Sequence, residues 1–171
     1  MVKVLEIIAP KGFQELEYSV PKKIFLDNKI NVITTSTEKI SISHIGNQQK
    51  VDILLSEVKV EDYDVIIFIG GPGAPIYQNN EIAINICKDA IKQNKLLCAI
   101  CIAPTILAHA GVLENKKATV WNGNGEPAKI LEKFGVKFTD EEVTIDGNII
   151  TANGPKSAEK FAKAILKTIL L

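Results

Sequence analysis

Residues 96–108 have the sequence LLCAICIAPTILA, which joins a strand pattern directly to a helix pattern. The first five residues form an unbroken apolar run, typical of a β-strand that is buried on both faces. The residues after Cys101 continue as an apolar helix, so Cys101 lies at the junction. A buried strand that leads straight into a helix indicates one unit of a parallel sheet.

The rest of the chain repeats this alternation of short apolar strands and helices. Further strands are predicted over residues 2–8, 30–35, 65–69, 118–121 and 149–152. Helices are predicted over residues 13–28 and 81–93, with a last helix that begins at Pro155. Residues 40–55 predict a small β-hairpin that turns at Gly46–Asn47. Together these patterns predict an α/β fold with a mostly parallel sheet and helices on both faces.

Length, composition and charge exclude several classes of protein. The chain has 171 residues, which predicts a single domain over residues 1–171. Hydrophobic residues make up 46% of it and charged residues 23%, as in ordinary globular proteins, which excludes intrinsic disorder. Lys and Arg number 20, and Asp and Glu also number 20, so no nucleic-acid or anionic-membrane partner is expected.

The composition also predicts the location of the protein in the cell. No apolar run approaches the roughly 20 residues that a membrane-spanning helix needs. Glu6 stands where a signal peptide would have its apolar centre, so the expected location is the cytoplasm. Three cysteines in a chain of this length do not predict a disulfide framework.

Cys101 is the candidate nucleophile. A nucleophile elbow needs small residues two positions to either side, and Ala99 and Ala103 occupy those positions. The turn is expected to strain the backbone and to raise the sulfur above the sheet edge at a helix N-terminus. The partial positive charge of that terminus is expected to lower the pKa of the thiol. The alternative is a plain buried cysteine, which is common.

Cys98 and Cys101 form a C-x-x-C pattern, which is also typical of thioredoxin-like redox proteins. In an extended strand, three steps of about 3.3 Å separate the two positions by roughly 10 Å. A disulfide needs Cα atoms within about 7 Å, so this interpretation is rejected. Cys98 and Cys87 are predicted to lie in the core.

A glycine-rich loop follows the strand at residues 65–69. Parallel strands bind ligands at their carboxyl ends, and Gly70 and Gly71 would let the backbone approach a ligand closely. The dinucleotide pattern G-x-G-x-x-G is incomplete because Ile76 stands at the third glycine position. The backbone N–H groups of Gly71 and Ile102 are instead predicted to form an oxyanion hole. The alternative is a tight turn without a role in function.

Glu17 lies at the start of a helix that follows the first strand, at the same sheet edge as Cys101. It lies at i, i+3, i+7 to Val20 and Ile24, on the margin of the apolar face of its helix. A carboxyl there must be paired, or its pKa must rise. Pro21 cannot donate to the Glu17 carbonyl, so the helix is expected to be irregular at that point. The alternative is a surface glutamate at a frayed helix end.

Taken together, these features resemble the ThiJ/PfpI superfamily, also called the DJ-one/PfpI family. The resemblance runs along nearly the whole chain, through residues 11–18 (KGFQELEY), 62–65 (DYDV) before Gly70–Gly71, 99–101 (AIC) with Pro104, 110–113 (AGVL), and 143–152 (VTIDGNIITA) before the closing helix. It implies a flavodoxin-like three-layer α/β/α sandwich, usually dimeric or larger, with the site close to a subunit contact. By motif position, Cys101 matches the reactive cysteine and Glu17 its partner carboxylate. Gly71 and Ile102 match the oxyanion donors.

Two positions depart from the family pattern. PfpI-type peptidases carry a histidine directly after the cysteine, and here that position is Ile102. The DJ-one branch has a histidine near the end of a later strand, and here Trp121 fills that place. Trp121 and Gly70 are predicted to line the site. Residues 122–125 (NGNG) either line it too or form a simple turn.

The two histidines of the chain lie elsewhere. His44 falls in the predicted hairpin, away from the carboxyl edge of the sheet. His109 is eight residues beyond Cys101 on a helix, roughly 12 Å along its axis, and cannot reach the sulfur. Both are predicted to be structural or surface residues. The subunit therefore lacks a Cys-His pair, which disfavours peptidase activity.

The sequence therefore predicts a Cys-Glu enzyme that acts on small reactive carbonyl compounds, similar to the glyoxalase or deglycase activity that the resemblance implies. Self-association is expected. No cofactor is expected, and no metal is expected because the histidines and cysteines lack ligand spacing. One alternative is a redox-responsive or chaperone-like protein without turnover, in which Cys101 oxidises to the sulfinic acid. Another is a cysteine peptidase or amidase that borrows a base from a neighbouring subunit.

Overall fold

The computed structural model describes residues 1–171, in which strands and helices alternate along the chain. The strands are β1 (Lys3–Ile7), β2 (Lys11–Phe13), β3 (Asn31–Ser36), β4 (Ile40–Ser43), β5 (Gln48–Lys50), β6 (Ile53–Leu54), β7 (Val65–Phe68), β8 (Leu96–Ile100), β9 (Lys117–Ala118), β10 (Lys137–Phe138), β11 (Val143–Asp146) and β12 (Ile149–Ala152). The helices are α1 (Glu15–Asp27), α2 (Glu81–Lys92), α3 (Pro104–His109), α4 (Glu126–Lys133) and α5 (Ala158–Ile169). Short 3-10 turns cover Leu55–Glu57, Val60–Asp62, Ala74–Asn79 and Pro155–Ser157.

Seven strands form the central sheet in the order β11-β12-β8-β7-β1-β3-β6. All neighbours in it are parallel except β11, which pairs antiparallel with β12. Helix α1 packs against α5, and α3 packs against α2 and α4, so the helices cover the sheet in two groups. Strands β7 and β8 are buried along their whole length, which explains their unbroken apolar runs. The predicted flavodoxin-like α/β sandwich is confirmed.

The predicted hairpin is confirmed over its first eleven residues. Strands β4 and β5 pair antiparallel, and β2 joins β4 to make a small three-stranded sheet. The following strand, β6, leaves the hairpin and pairs with β3 at the edge of the central sheet.

The predicted strand over residues 118–121 is wrong in most of its length. Only β9 is extended there, and it pairs with β10 in a separate two-stranded sheet. The next backbone N–H groups leave this ladder, because Thr119 donates to the Thr151 hydroxyl at 2.9 Å and Trp121 donates to the Cys101 carbonyl at 2.8 Å. These bonds draw Trp121 towards the end of β8.

The parallel sheet brings four chain segments to one edge. Because β1, β7, β8 and β12 run in the same direction, the segments that follow their carboxyl ends are neighbours. The Gln14 N–H donates to the Gly70 carbonyl at 3.0 Å, which ties the start of α1 to the loop after β7. The Cys101 N–H donates to the Ala152 carbonyl at 2.8 Å, which ties the end of β8 to the end of β12.

Helix α1 runs through Pro21 without a break. The proline ring leaves the Glu17 carbonyl without its usual i+4 donor, but the helix continues to Asp27, so the expected irregularity stays local. The closing helix begins as predicted at Pro155, in a 3-10 turn that leads into α5. No helix of the protein combines the length and the apolar character needed to cross a membrane.

Candidate functional site

Cys101 lies in a left-handed backbone conformation with φ +64°, directly after β8. A residue other than glycine adopts this conformation only when its surroundings hold it there. Hydrogen bonds from the Cys101 N–H to Ala152 and from Trp121 to the Cys101 carbonyl do so. The predicted strained turn is thus present. Cys101 is only 9% exposed.

Glu17 is fully buried on the first turn of α1. Its Oε2 atom accepts a hydrogen bond from the Gly70 N–H at 3.0 Å, its carboxyl interacts with the Cys101 thiol, and its Oε1 atom has no ordinary hydrogen-bond partner. Burial raises the pKa of Glu17 to about 7, although the interactions with Cys101 and Gly70 act in the opposite direction. The alternative of a frayed surface glutamate is therefore wrong.

The thiol of Cys101 holds its proton more tightly than an ordinary cysteine does. Burial raises the pKa of Cys101 to about 12, and the charge of Glu17 and the hydrogen bond to it add to that rise. The backbone N–H groups of Gly71 and Ile102 donate towards the sulfur and lower the pKa. The expected net lowering of the pKa is wrong, because burial and Glu17 raise the pKa by more than the backbone N–H groups lower it.

These opposing effects couple the two side chains. An ionised Glu17 opposes a thiolate through both its charge and its acceptor oxygens, whereas a protonated Glu17 is neutral and can donate a hydrogen bond to sulfur. The pair therefore shares one proton over the range between its two titrations. A thiolate at Cys101 requires that the proton reside on Glu17.

Two glycines allow this close approach. A Cβ atom on Gly70 would lie 2.5 Å from Glu17 Oε2 and 2.6 Å from the Cys101 Cβ, so only glycine fits between the acid and the thiol. Gly71 has φ +106°, and a Cβ there would collide with the backbone of Gly12 and Gln14. Gly71, the predicted oxyanion donor, is among the residues that line the cavity, whereas Gly70, which was predicted to line it, is not.

A cavity of about 380 Å³ opens above Cys101. Its walls come from all four segments that meet at the sheet edge, and none of its side chains is charged. The lining residues are Gln14, Gly71, Pro72, Pro75, Cys101, Ile102, Trp121 and Pro155. The geometry brings the predicted residues Cys101, Gly71, Ile102 and Trp121 into one cavity, with Glu17 directly behind the sulfur.

Trp121 forms one wall, and the turn that follows supports it. A Cβ atom on Gly123 would lie 2.5 Å from the indole ring, so the backbone there packs directly on the tryptophan. The Asn122 side chain accepts a hydrogen bond from the Ala128 N–H at 3.1 Å, near the start of α4. Residues 122–125 do not line the cavity, which agrees with the simple-turn interpretation.

Both histidines have structural contacts. His109 Nδ1 lies 2.8 Å from the Thr105 carbonyl oxygen, and its ring packs on Phe134 with 4.7 Å between ring centroids. His44 Nδ1 accepts a hydrogen bond from the Glu15 N–H at 3.3 Å. His44 is thus nearer the carboxyl edge than predicted, because the hairpin packs beside the start of α1. Neither histidine lines the cavity.

The other two cysteines are core residues, as predicted. Cys87 and Cys98 are fully buried and free of disulfides. Burial raises the pKa of each thiol far above its usual range. No three His, Cys, Asp or Glu side chains are grouped so that they could share a metal ion.

Sequence reasoning missed four of the lining residues, Gln14, Pro72, Pro75 and Pro155. Gln14 was hidden because glutamine is not a favoured N-cap residue, although it occupies that position of α1. Pro155 was interpreted only as a helix start. The signal that could have found it is the pair Gly154–Pro155 shortly after the strand β12, at the same sheet edge as Cys101.

Residues 2–168 match the model of the DJ-1/PfpI family. The chain belongs to this family. An uncharacterized protein of Methanocaldococcus jannaschii, MJ0967, is 38% identical over 169 residues, which are 98% of this chain and 82% of that protein. The deglycase PH1704 of Pyrococcus horikoshii is 28% identical over 98% of this chain and 99% of its own. The glutathione-independent glyoxalase DJR-1.2 of Caenorhabditis elegans is 27% identical over 96% of this chain and 87% of that protein.

A solved structure shows the same fold. The ThiJ/PfpI domain protein of Brachyspira murdochii superposes with a TM-score of 0.92 at 27% sequence identity. The match covers 98% of this chain and 95% of that one. The architecture of the present protein is therefore the architecture of its family.

Proposed function

We propose that this DJ-1/PfpI protein is a cysteine-dependent enzyme of the glyoxalase or deglycase type, acting on small reactive carbonyl compounds. The observation that carries the proposal is the buried Glu17–Cys101 pair beneath an uncharged cavity. Relatives named as a deglycase and as a glyoxalase support it. Cys101 is proposed as the nucleophile and Glu17 as the general acid and base.

In the first step the thiol proton passes to the Glu17 carboxylate, which leaves a thiolate and a carboxylic acid. The sulfur then attacks the carbonyl carbon, a C–S bond forms, and the π electrons of the C=O bond move to oxygen. Gly71 and Ile102 line the cavity together with Cys101, and we propose that their N–H groups donate to the oxygen that forms beside the sulfur. Glu17 gives its proton to that oxygen, and the product is a neutral hemithioacetal.

Glu17 is then a carboxylate again and can act as a base. In an α-oxoaldehyde, Glu17 can take the proton from the reacting carbon while the neighbouring carbonyl oxygen gains a proton, which gives an enediol. The hydroxyl on the reacting carbon then loses its proton as the neighbouring carbon gains one, and the product is a thioester of a hydroxy acid. Water then cleaves the thioester and restores the Cys101 thiol. The sequence adds one water to the substrate and needs no outside oxidant or reductant. A raised Glu17 pKa suits both proton transfers near neutral pH.

The test is the turnover of methylglyoxal by the wild type and by Cys101→Ala. We expect the Ala variant to lose all turnover above the uncatalysed rate. Cys87→Ala, which alters a fully buried thiol on α2, is the matched control and should keep the wild-type rate. Equal rates for the wild type and Cys101→Ala would end the proposal.

A further inference from the structure

The Gln14 side chain has its amide orientation imposed by helix α1. Its Oε1 atom accepts hydrogen bonds from the Leu16 N–H at 2.6 Å and from the Glu17 N–H at 3.2 Å. Both partners are donors, so the atom that faces the helix must be the amide oxygen. The Nε2 group necessarily points away from the helix end.

That amide group belongs to a residue of the cavity wall. Gln14 lines the cavity with Cys101, and the other side chains of the wall are the apolar Pro72, Pro75, Ile102 and Pro155 and the largely apolar Trp121, whose indole has one N–H group. Gln14 Nε2 makes no hydrogen bond within the protein, unlike the amide of Gln78, which donates to the Thr105 hydroxyl at 2.8 Å. Apart from the thiol, the cavity wall therefore has two side chains that can donate a hydrogen bond, the Gln14 amide and the Trp121 indole, and helix α1 fixes the orientation of the amide.

We propose that Gln14 Nε2 binds a substrate oxygen on the carbon next to the one that Cys101 attacks. We expect this donor to favour substrates that carry an oxygen at that position over simple aldehydes. This inference rests on the proposed function and names a further substrate-binding residue of the same site. Gly71 and Ile102 serve the oxygen on the reacting carbon, so the oxygen one bond further away needs a donor of its own.

The chemistry of the wall excludes the competing substrates. A simple aldehyde would leave the Gln14 amide unpaired when it displaces water, and unpaired buried donors are costly. A substrate with a carboxylate or a phosphate would lose its hydration in a cavity without a lysine or an arginine. An apolar substituent, in contrast, matches the proline and tryptophan surfaces.

The donor can be tested without any turnover, by alkylation of Cys101. Iodoacetamide carries a carbonyl oxygen on the carbon next to its reacting carbon, as an α-oxoaldehyde does, and iodoethane carries none. Gln14→Glu keeps the oxygen that caps α1 and removes the donor, and Gln14→Ser keeps a helix cap that is too short to reach the cavity. Gln48→Glu, on the exposed hairpin, makes the same change far from the site.

We expect the ratio of the iodoacetamide rate to the iodoethane rate at Cys101 to fall roughly five- to tenfold in both Gln14 variants, as loss of one hydrogen bond predicts. It should stay unchanged in Gln48→Glu. An effect of the new charge on thiolate formation alters both rates equally and leaves the ratio unchanged. A wild-type ratio in Gln14→Glu and Gln14→Ser would overturn the inference. The ratio does not depend on turnover, so failure of the proposed enzyme activity is detected separately with methylglyoxal.

Discussion

Glu17 and Glu6 are two fully buried carboxyls in very different surroundings. Burial raises the pKa of Glu17 to about 7 and that of Glu6 to about 8. Glu17 accepts a hydrogen bond from Gly70 and lies against the Cys101 thiol beneath a cavity. Glu6 lies in β1 at the centre of the sheet, and neither of its oxygens has a hydrogen-bond partner.

A small polar cluster lies near Glu6. The Tyr18 and Thr34 hydroxyls are 2.9 Å apart, and Lys22 Nζ donates to both, at 2.6 and 3.0 Å. The charge of Lys22 lowers the pKa of Glu6, but by less than burial raises it. The comparison shows that burial makes a carboxyl hold its proton near neutral pH, whereas an adjacent thiol and an opening to solvent provide a use for that proton.

The largest expected difference between the two acids is in catalysis. Glu17→Gln should lower kcat/KM for methylglyoxal on the order of 10²- to 10⁴-fold, because the amide cannot transfer a proton. Glu6→Gln makes the same chemical change in the core and should keep kcat/KM within about twofold of the wild type, because Glu6 does not line the cavity. Equal losses in the two variants would mean that Glu17 acts only through packing.

The second expected effect is on how the free energy of unfolding changes with pH. The usual pKa of Glu6 is 4.5 and its folded-state pKa is about 8, so the folded protein binds more protons than the unfolded chain between these values. The contribution of Glu6 to stability is therefore full below pH 4.5 and is lost as the pH rises through 8. Glu6→Gln cannot ionise and should be more stable than the wild type at pH 9, on the order of a few kcal/mol.

Urea unfolding of the wild type and Glu6→Gln between pH 4.5 and 9 measures this difference. The gain in stability of the variant over the wild type should grow steadily with pH across this window. A difference that does not change with pH would show that Glu6 keeps the same protonation state in the folded and unfolded chains.

The smallest effect concerns the lysine near Glu6. Lys22→Met removes the charge that lowers the pKa of Glu6, so the loss of stability attributed to Glu6 should move to higher pH. The change in unfolding free energy should be about 1 kcal/mol or less, because Lys22 is partly exposed. Lys23→Met, which breaks an exposed ion pair with Asp27 on the same helix, is the control and should leave the pH profile unmoved.

Much of the fold was readable from local patterns. The apolar runs of β7 and β8, the hairpin turn and the helix start at Pro155 depend on residues close in the chain, so spacing alone predicts them. The strand predicted over residues 118–121 failed for the opposite reason. Its backbone groups bond to Thr151 and Cys101, which are distant in sequence, and no local pattern reports such partners.

The amino-acid order alone was enough for the α/β architecture and for Cys101 and Glu17 as candidates, because small residues, helix spacing and a strand-to-helix junction are local properties. The pairing of Glu17 with Cys101 came from the family resemblance. Tertiary packing settled how tightly Cys101 and Glu17 hold their protons, the unpaired state of Glu6 and the cavity position of Gln14. The proton affinities depend on how much water the whole fold removes from each group, and the other two properties depend on which segments pack around each side chain. Loss of hydration is the sum of contributions from many distant segments, and it exists only once the chain has folded.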